Sequence, residues 1–174
     1  MNAVPHLVDV EADLHRLSMT VLMTPDMSNF RGNVHGGILL KLLDQVAYTC
    51  ASRYAGHYAV TLSVDRVVFR EPIHVGELVT FSASVNYTGR TSMEVGIRVT
   101  TEDLVQRTVR HTNSCYFTMV ATDDNGRPTE VPAWSPVTEA ERRRHADALR
   151  RRELRRSYEE GVRRRMPAEA EARA

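Results

Sequence analysis

The chain has 174 residues, a length that suits one domain with an appendage. Hydrophobic residues make up 42% and charged residues 26%, which excludes a disordered or fibrous chain. The formal net charge of +1 excludes a strongly basic nucleic-acid binder but hides a split, since residues 137–174 carry +4 (twelve Arg against eight acidic residues) and the first 136 carry −3.

The chain opens with MNAVPHLVDVEADLHRL, which has no cationic start leading into an apolar run, so no signal peptide is expected. Residues 16–24 read as a first strand. Residues 35–55 then read as a helix. At 100° per residue, Leu39, Leu40, Leu42, Leu43, Val46, Ala47, Cys50 and Ala51 fill one broad arc, with Lys41, Tyr48 and Ser52 opposite. An arc that wide predicts a helix buried on most of its circumference, ended by Gly56. Residues 59–70 read as a strand. Period-two runs follow at Val79–Tyr87, Met93–Val99 and Val109–Met119, with Gly76, Gly89 and Asp103 at the breaks. Short connections between these strands imply antiparallel pairing.

These elements predict an α+β architecture, a curved antiparallel sheet wrapped around a long central helix, because neither element buries its apolar face alone. Long strands with an unpaired edge also predict dimerisation. Pro128, Pro132 and Pro136 mark an extended linker. Thr138 and Glu141 form a capping-box pattern that opens a charged C-terminal helix with a thin apolar stripe at Ala146, Leu149 and Leu154. Its Glu/Arg pairs read as a solvated helix. No aromatic interleaving or base-reading motif supports a nucleic-acid role. The expected boundaries are 14–132 for the folded domain and 133–174 for the linker and Arg-rich tail.

Cys50 and Cys115 are too few and too far apart for a disulfide framework and read as buried small hydrophobes in a reducing compartment. No segment approaches the roughly 18 apolar residues of a membrane span, and a cytoplasmic location is expected. The seven His are scattered without metal-ligand spacing, so no metal is expected. There is no GxGxxG, GxxxxGK[ST] or GxSxG pattern.

The segment from Asn29 to Asp44 carries the chemistry. Gly36-Gly37 opens the helix, where free backbone N–H groups make a partial positive charge that a carbonyl oxygen can approach without meeting a Cβ. That arrangement suits an oxyanion hole. Asp44 falls on the edge of the apolar arc two turns later. Lost solvation there would raise its pKa and suit a general base or nucleophile; the alternative is a helix-edge Asp paired with Arg53 or Arg66. Asn29 also reads as a turn residue, and His35 as a general base or as a packing or hydrogen-bonding residue.

The pattern Asn29…Gly32…His35-Gly36-Gly37…Asp44 resembles the signature of hotdog-fold acyl-CoA thioesterases, in particular the broad-specificity bacterial and brain-type acyl-CoA hydrolases. The stretches PIHVGELV (72–79), GRTSMEV (89–95) and MVATDDNGRPTEVP (119–132) extend the resemblance, which covers roughly residues 14–155. It implies hydrolysis of fatty acyl-CoA to a free acid and CoA without a cofactor. Asp44 would serve as general base or nucleophile. Asn29 would reach across a dimer interface, and the Gly37 amide, with Gly36 and His35 nearby, would polarise the thioester oxygen. Arg90, Thr91 and Ser92 would lie near the CoA phosphates, or would simply close a β-turn. A trimer of dimers is the assembly the family implies. The other readings are a non-catalytic acyl-CoA-binding regulator and a phenylacetyl-CoA-type hotdog thioesterase.

Overall fold

The computed structural model describes residues 13–69 and 71–165. The N-terminal stretch, Arg70 at the end of the expected strand 59–70, and residues 166–174 of the Arg-rich tail lie outside them. The chain divides at Ala133/Trp134 into two compact units.

The first unit holds β1 (Arg16–Leu22), a 3-10 turn at Pro25–Met27, α1 (Gly36–Ala55), β2 (Tyr58–Val64), β3 (Leu78–Thr88), β4 (Ser92–Asp103) and β5 (Thr108–Thr122). All five strands form one antiparallel sheet in the order β1-β3-β4-β5-β2. The expected strands and helix are present, but β2 ends at Val64 rather than continuing to residue 70. α1 carries the chain across the sheet, so β2 lands at the far edge beside β5. Residues 65–77 must then cross back to reach β3. Asp65 N–H makes a last bond to the Tyr116 carbonyl, 2.9 Å, before the chain leaves the edge.

α1 packs on the sheet through Leu39, Leu43, Val46, Ala47, Cys50, Ala51 and Ala55. Phe81, Phe117, Met93 and Ile97 face it from the sheet and are fully buried. Each such side chain contributes about 1.5–3 kcal/mol by leaving water. Gly56, at φ 68°, turns the chain left-handed and closes the helix with an N–H bond to the Ser52 carbonyl, 3.0 Å. The burial arc is narrower than the expected one. Leu40, Asp44, Gln45 and Tyr48 are exposed, because a single sheet covers only one side of the helix.

The alternation along β5 also breaks. The register with β4 shifts between Val99↔Asn113 and Thr100↔His111, so Thr112 is an extra residue. Before this bulge His111 and Val109 face outward; after it Asn113, Cys115, Phe117 and Met119 face inward. The bulge places two polar residues, Thr112 and Asn113, side by side in the interior.

In the second unit α2 (Glu139–Arg165) opens with the expected capping box. Glu141 N–H donates to Thr138 Oγ1 at 3.2 Å and Thr138 N–H donates to Glu141 Oε2 at 2.8 Å. Trp134 lies against His145, ring centroids 5.9 Å apart. Ala146, Leu149 and Leu154 are exposed, so the expected stripe is not a packed face. Arg156 pairs with Glu160 at 3.0 Å, one turn on.

Candidate functional site

Asn29 sits in a tight turn before α1. Its Oδ1 accepts from Arg31 N–H (2.8 Å) and Asn33 N–H (3.3 Å), and its own N–H donates to the Asn33 carbonyl (2.7 Å). This is the turn role that Asn types favour. It occupies the oxygen and leaves the side-chain NH2 unused by the turn. Gly32 completes the turn at φ 79°, where a side chain would be strained. Phe30 at its tip is fully exposed.

The turn is tied to residues 71–77. Val34 N–H donates to the Ile73 carbonyl (2.8 Å), and His74 Nδ1 lies 3.1 Å from Asn33 Oδ1. That loop is held in turn by Arg110 on β5, whose guanidinium grips buried Glu77 at 2.6 and 2.8 Å. Burial alone would raise the Glu77 pKa. The Arg110 hydrogen bonds, the His74 amide and the nearby positive charges outweigh it and hold the carboxyl below its ordinary value.

His35 is the N-cap of α1. Its Nδ1 accepts the Gly37 N–H at 2.9 Å, which fixes that nitrogen as unprotonated. Ile38 and Leu39 N–H both turn back to the His35 carbonyl. The Gly37 amide expected as the oxyanion donor is therefore already engaged. Among the described residues, the first-turn amide without a partner is that of Gly36. The physical reason is the cap itself, since a His N-cap saturates the donor two residues on.

Asp44 lies about 10 Å farther along the helix axis. It is exposed, so its own protomer does not supply the desolvation expected from the apolar arc. Among the described residues it has no ion pair, and Arg53 instead donates to the Arg16 carbonyl at 3.3 Å. Its partner is Thr61 on β2, whose hydroxyl donates to Asp44 Oδ1 at 2.6 Å. The two border a groove of about 360 Å³ with Gln45, Tyr48, Tyr58 and Val60. Sequence reasoning missed Thr61. Its signal was a lone hydroxyl within the apolar run Ala59–Leu62 of a strand.

Gly89, Arg90 and Thr91 form the β3–β4 connection, and Ser92 opens β4. Gly89 N–H closes it onto the Ser92 carbonyl (2.7 Å), so the β-turn alternative is real. The Arg90 carbonyl accepts from Val131 N–H (3.0 Å), and Tyr54, near the end of α1, donates to the Pro132 carbonyl (3.1 Å). The triplet therefore lies toward the C-terminal end of α1, far from Gly36 within one protomer. One protomer joins Asp44 to Thr61 and gathers Asn29, His35, Gly36 and Gly37 at the helix start, but it does not bring Arg90 to either.

Residues 31–107 match the family model described as thioesterase superfamily. The chain is 55% identical over 144 residues to Protein VdlD of Helicobacter pylori, covering 83% of this chain and 82% of that protein. An apo-hexameric acyl-CoA thioesterase of solved structure superposes with a TM-score of 0.80 at 36% identity, over 83% of this chain and 93% of that one. An acyl-CoA hydrolase from Staphylococcus aureus, solved with butyryl coenzyme A, coenzyme A and coenzyme A disulfide, gives 0.81 at 29% identity, over 90% and 96%. The same hydrolase has also been solved as single alanine variants of an aspartate, an asparagine and a threonine. The chain belongs to the thioesterase superfamily, and its five-stranded sheet with α1 packed on it is the hotdog fold.

Proposed function

We propose that this protein hydrolyses acyl-CoA thioesters to a carboxylic acid and CoA, with Asp44 as the group that activates water or attacks the thioester carbon. The observation that carries the reading is the Thr61–Asp44 pair on the groove wall. The hydroxyl bond fixes one carboxylate oxygen and leaves the other free to take a proton. In the general-base form, water adds to the thioester carbon as its proton passes to Asp44. The tetrahedral intermediate then collapses, the C–S bond breaks, and the CoA thiolate leaves and takes up that proton. Loss of a single donor to the thioester oxygen typically costs about 10²–10³ in rate. The unpartnered Gly36 amide is the better candidate for that donor. Gly37 could serve only after His35 swings aside.

The working unit is a dimer, with Asn29 of one protomer completing the site of the other and a trimer of dimers as the full assembly. In support, β2 is an edge strand whose Tyr58, Val60, Leu62 and Val64 are all exposed, with the exposed Tyr48 of α1 against Tyr58. Such an edge is a template for a second copy, and covering it would desolvate Asp44. The side chain of Arg90 is exposed and cationic, which suits a CoA phosphate, with Thr91 and Ser92 as neighbouring donors. The chain needs no cofactor for this reaction, CoA being part of substrate and product.

The test is thiol release from acyl-CoAs followed with DTNB. Asp44→Ala is expected to abolish turnover in a folded oligomer. Undiminished turnover in that variant would overturn the assignment.

A further inference from the structure

Asp44 and Thr61 stand at one point of a longer cleft between α1 and β2. The groove of about 360 Å³ that they border continues along Tyr48 and Tyr58. Small-molecule sites typically enclose about 300–1,000 Å³. α1 ends at Ala55 and β2 begins at Tyr58, so helix and strand converge on the short connection Gly56-His57. The cleft is therefore blind at that end. Tyr48 lies one helical turn past Asp44 on the same face of α1, toward the blind end. Tyr58 is the first residue of β2, three before Thr61.

The two rings meet across the cleft, with centroids 5.3 Å apart and planes tilted by 60°. Rings in contact have centroids about 4.5–7 Å apart, so a hydrocarbon chain cannot pass between these two. Both side chains are partly exposed and present ring surface to the groove rather than to the core. The two ends of the groove therefore suit different halves of a thioester whose reacting carbon lies at Asp44. The CoA arm continues to a nucleotide and its phosphates, so it must leave by the open side. The acyl chain ends in a methyl group and suits the blind, aromatic end.

We propose that the Tyr48–Tyr58 pair determines specificity by stopping the acyl chain, so that short acyl-CoAs are preferred over long ones. This rests on the acyl-CoA reading above. Four residues of helix separate Asp44 from Tyr48, about 6 Å along the axis. An extended chain advances about 1.2 Å per bond, as the backbone does over the three bonds of a residue. About five bonds therefore fit between the carbonyl carbon and the rings. Butyryl and hexanoyl groups meet that limit. A longer chain must part the two rings or turn back out of the groove, where its extra apolar surface stays in water.

The experiment measures kcat/KM of the full-length protein on acetyl-, butyryl-, hexanoyl-, octanoyl- and decanoyl-CoA. The wild type is expected to peak at butyryl or hexanoyl and to fall by about 10-fold or more at decanoyl. Tyr48→Ala removes one ring and opens the cleft toward Gly56, so the decanoyl-to-butyryl ratio should rise by about 10-fold or more. Tyr58→Ala should move the ratio in the same direction. Tyr48→Phe keeps the ring and should keep the wild-type profile, which separates bulk from the hydroxyl. A wild type equally active from butyryl to decanoyl overturns the proposal without any variant. So does a ratio that stays at the wild-type value in both folded alanine variants. A kcat/KM lowered by the same factor at every chain length would put the CoA arm along the tyrosines, which also overturns it. Failure to hydrolyse any of the five would instead defeat the acyl-CoA reading itself.

Discussion

Thr61 on β2 donates its hydroxyl to Asp44 on α1 across 2.6 Å, joining the edge strand to the helix at the groove. The bond orients the carboxylate. Thr61→Val keeps the side-chain shape and removes the donor, so the carboxylate can turn away from the thioester. The expected result is a kcat lower by about 10–100-fold with KM little changed, measured by steady-state thiol release. A rise in KM alone, with kcat intact, would assign Thr61 to shaping the groove rather than to positioning Asp44.

Asn29 and Asp44 are placed at separate points of the protomer, which makes the dimer testable through activity. Mixing inactive Asn29→Ala and Asp44→Ala proteins under conditions that exchange subunits should restore turnover, because a heterodimer contains one site with both residues intact. Its specific activity should be a fraction of wild type, set by the share of mixed dimers. If the two residues act within one protomer, the mixture stays as inactive as its components. A companion variant, Leu62→Glu, puts a charge on the exposed apolar edge of β2. It should shift the protein toward monomer in sedimentation velocity and lower activity in parallel.

The elements with strong periodicity were legible in the sequence. The alternation of Val79, Phe81, Ala83 and Val85 shows through because each of these side chains is buried against α1. The failures have a common physical source, which is information outside the local pattern. The end of β2 at Val64 depends on where the chain must cross to reach β3. The reversal at Thr112 depends on a bulge against β4, so unbroken period two along Val109–Met119 puts Val109 and His111 on the face of Cys115, Phe117 and Met119, whereas the bulge turns them outward. At the site, the Asn29, Gly36 and Asp44 positions follow from motif spacing. Thr61 does not, because its relation to Asp44 exists only once β2 lies beside α1. The engagement of Gly37 by His35 was equally hidden, since a cap is a matter of side-chain rotamer rather than spacing.

Glu77 and Arg110 anchor the loop that holds the Asn29 turn, and their pairing makes stability depend on pH. The Glu77 carboxyl is held below its ordinary value in the folded chain. Its contribution is therefore fully present above the unfolded value, about 4.3, and is lost as pH falls through the lower folded value. Glu77→Gln removes the charge but keeps the shape and leaves Arg110 without its main partner. The expected cost is about 2–3 kcal/mol at pH 7, somewhat less than for a wholly buried pair because Arg110 is partly exposed. Urea unfolding at fixed protein concentration should show this difference shrinking steadily below about pH 5. A difference that stays constant down to pH 3 would mean that the carboxylate charge contributes nothing.

The two thiols give the last prediction, and it bears on the assay used for all the others. Cys50 on α1 and Cys115 on β5 are both fully buried free cysteines. Burial pushes each thiol up to about 12, so almost no thiolate exists at neutral or mildly alkaline pH. Thiolate is the reactive form, and both sulfurs are also shielded from reagent by the sheet and helix around them. Native protein should therefore release almost no thionitrobenzoate from DTNB over the minutes of an activity measurement. In denaturant both residues should react quickly, giving two equivalents per chain. Rapid labelling of the native protein would mean that the contact between α1 and the sheet opens on the timescale of the assay, and the fraction labelled against time would give the opening rate.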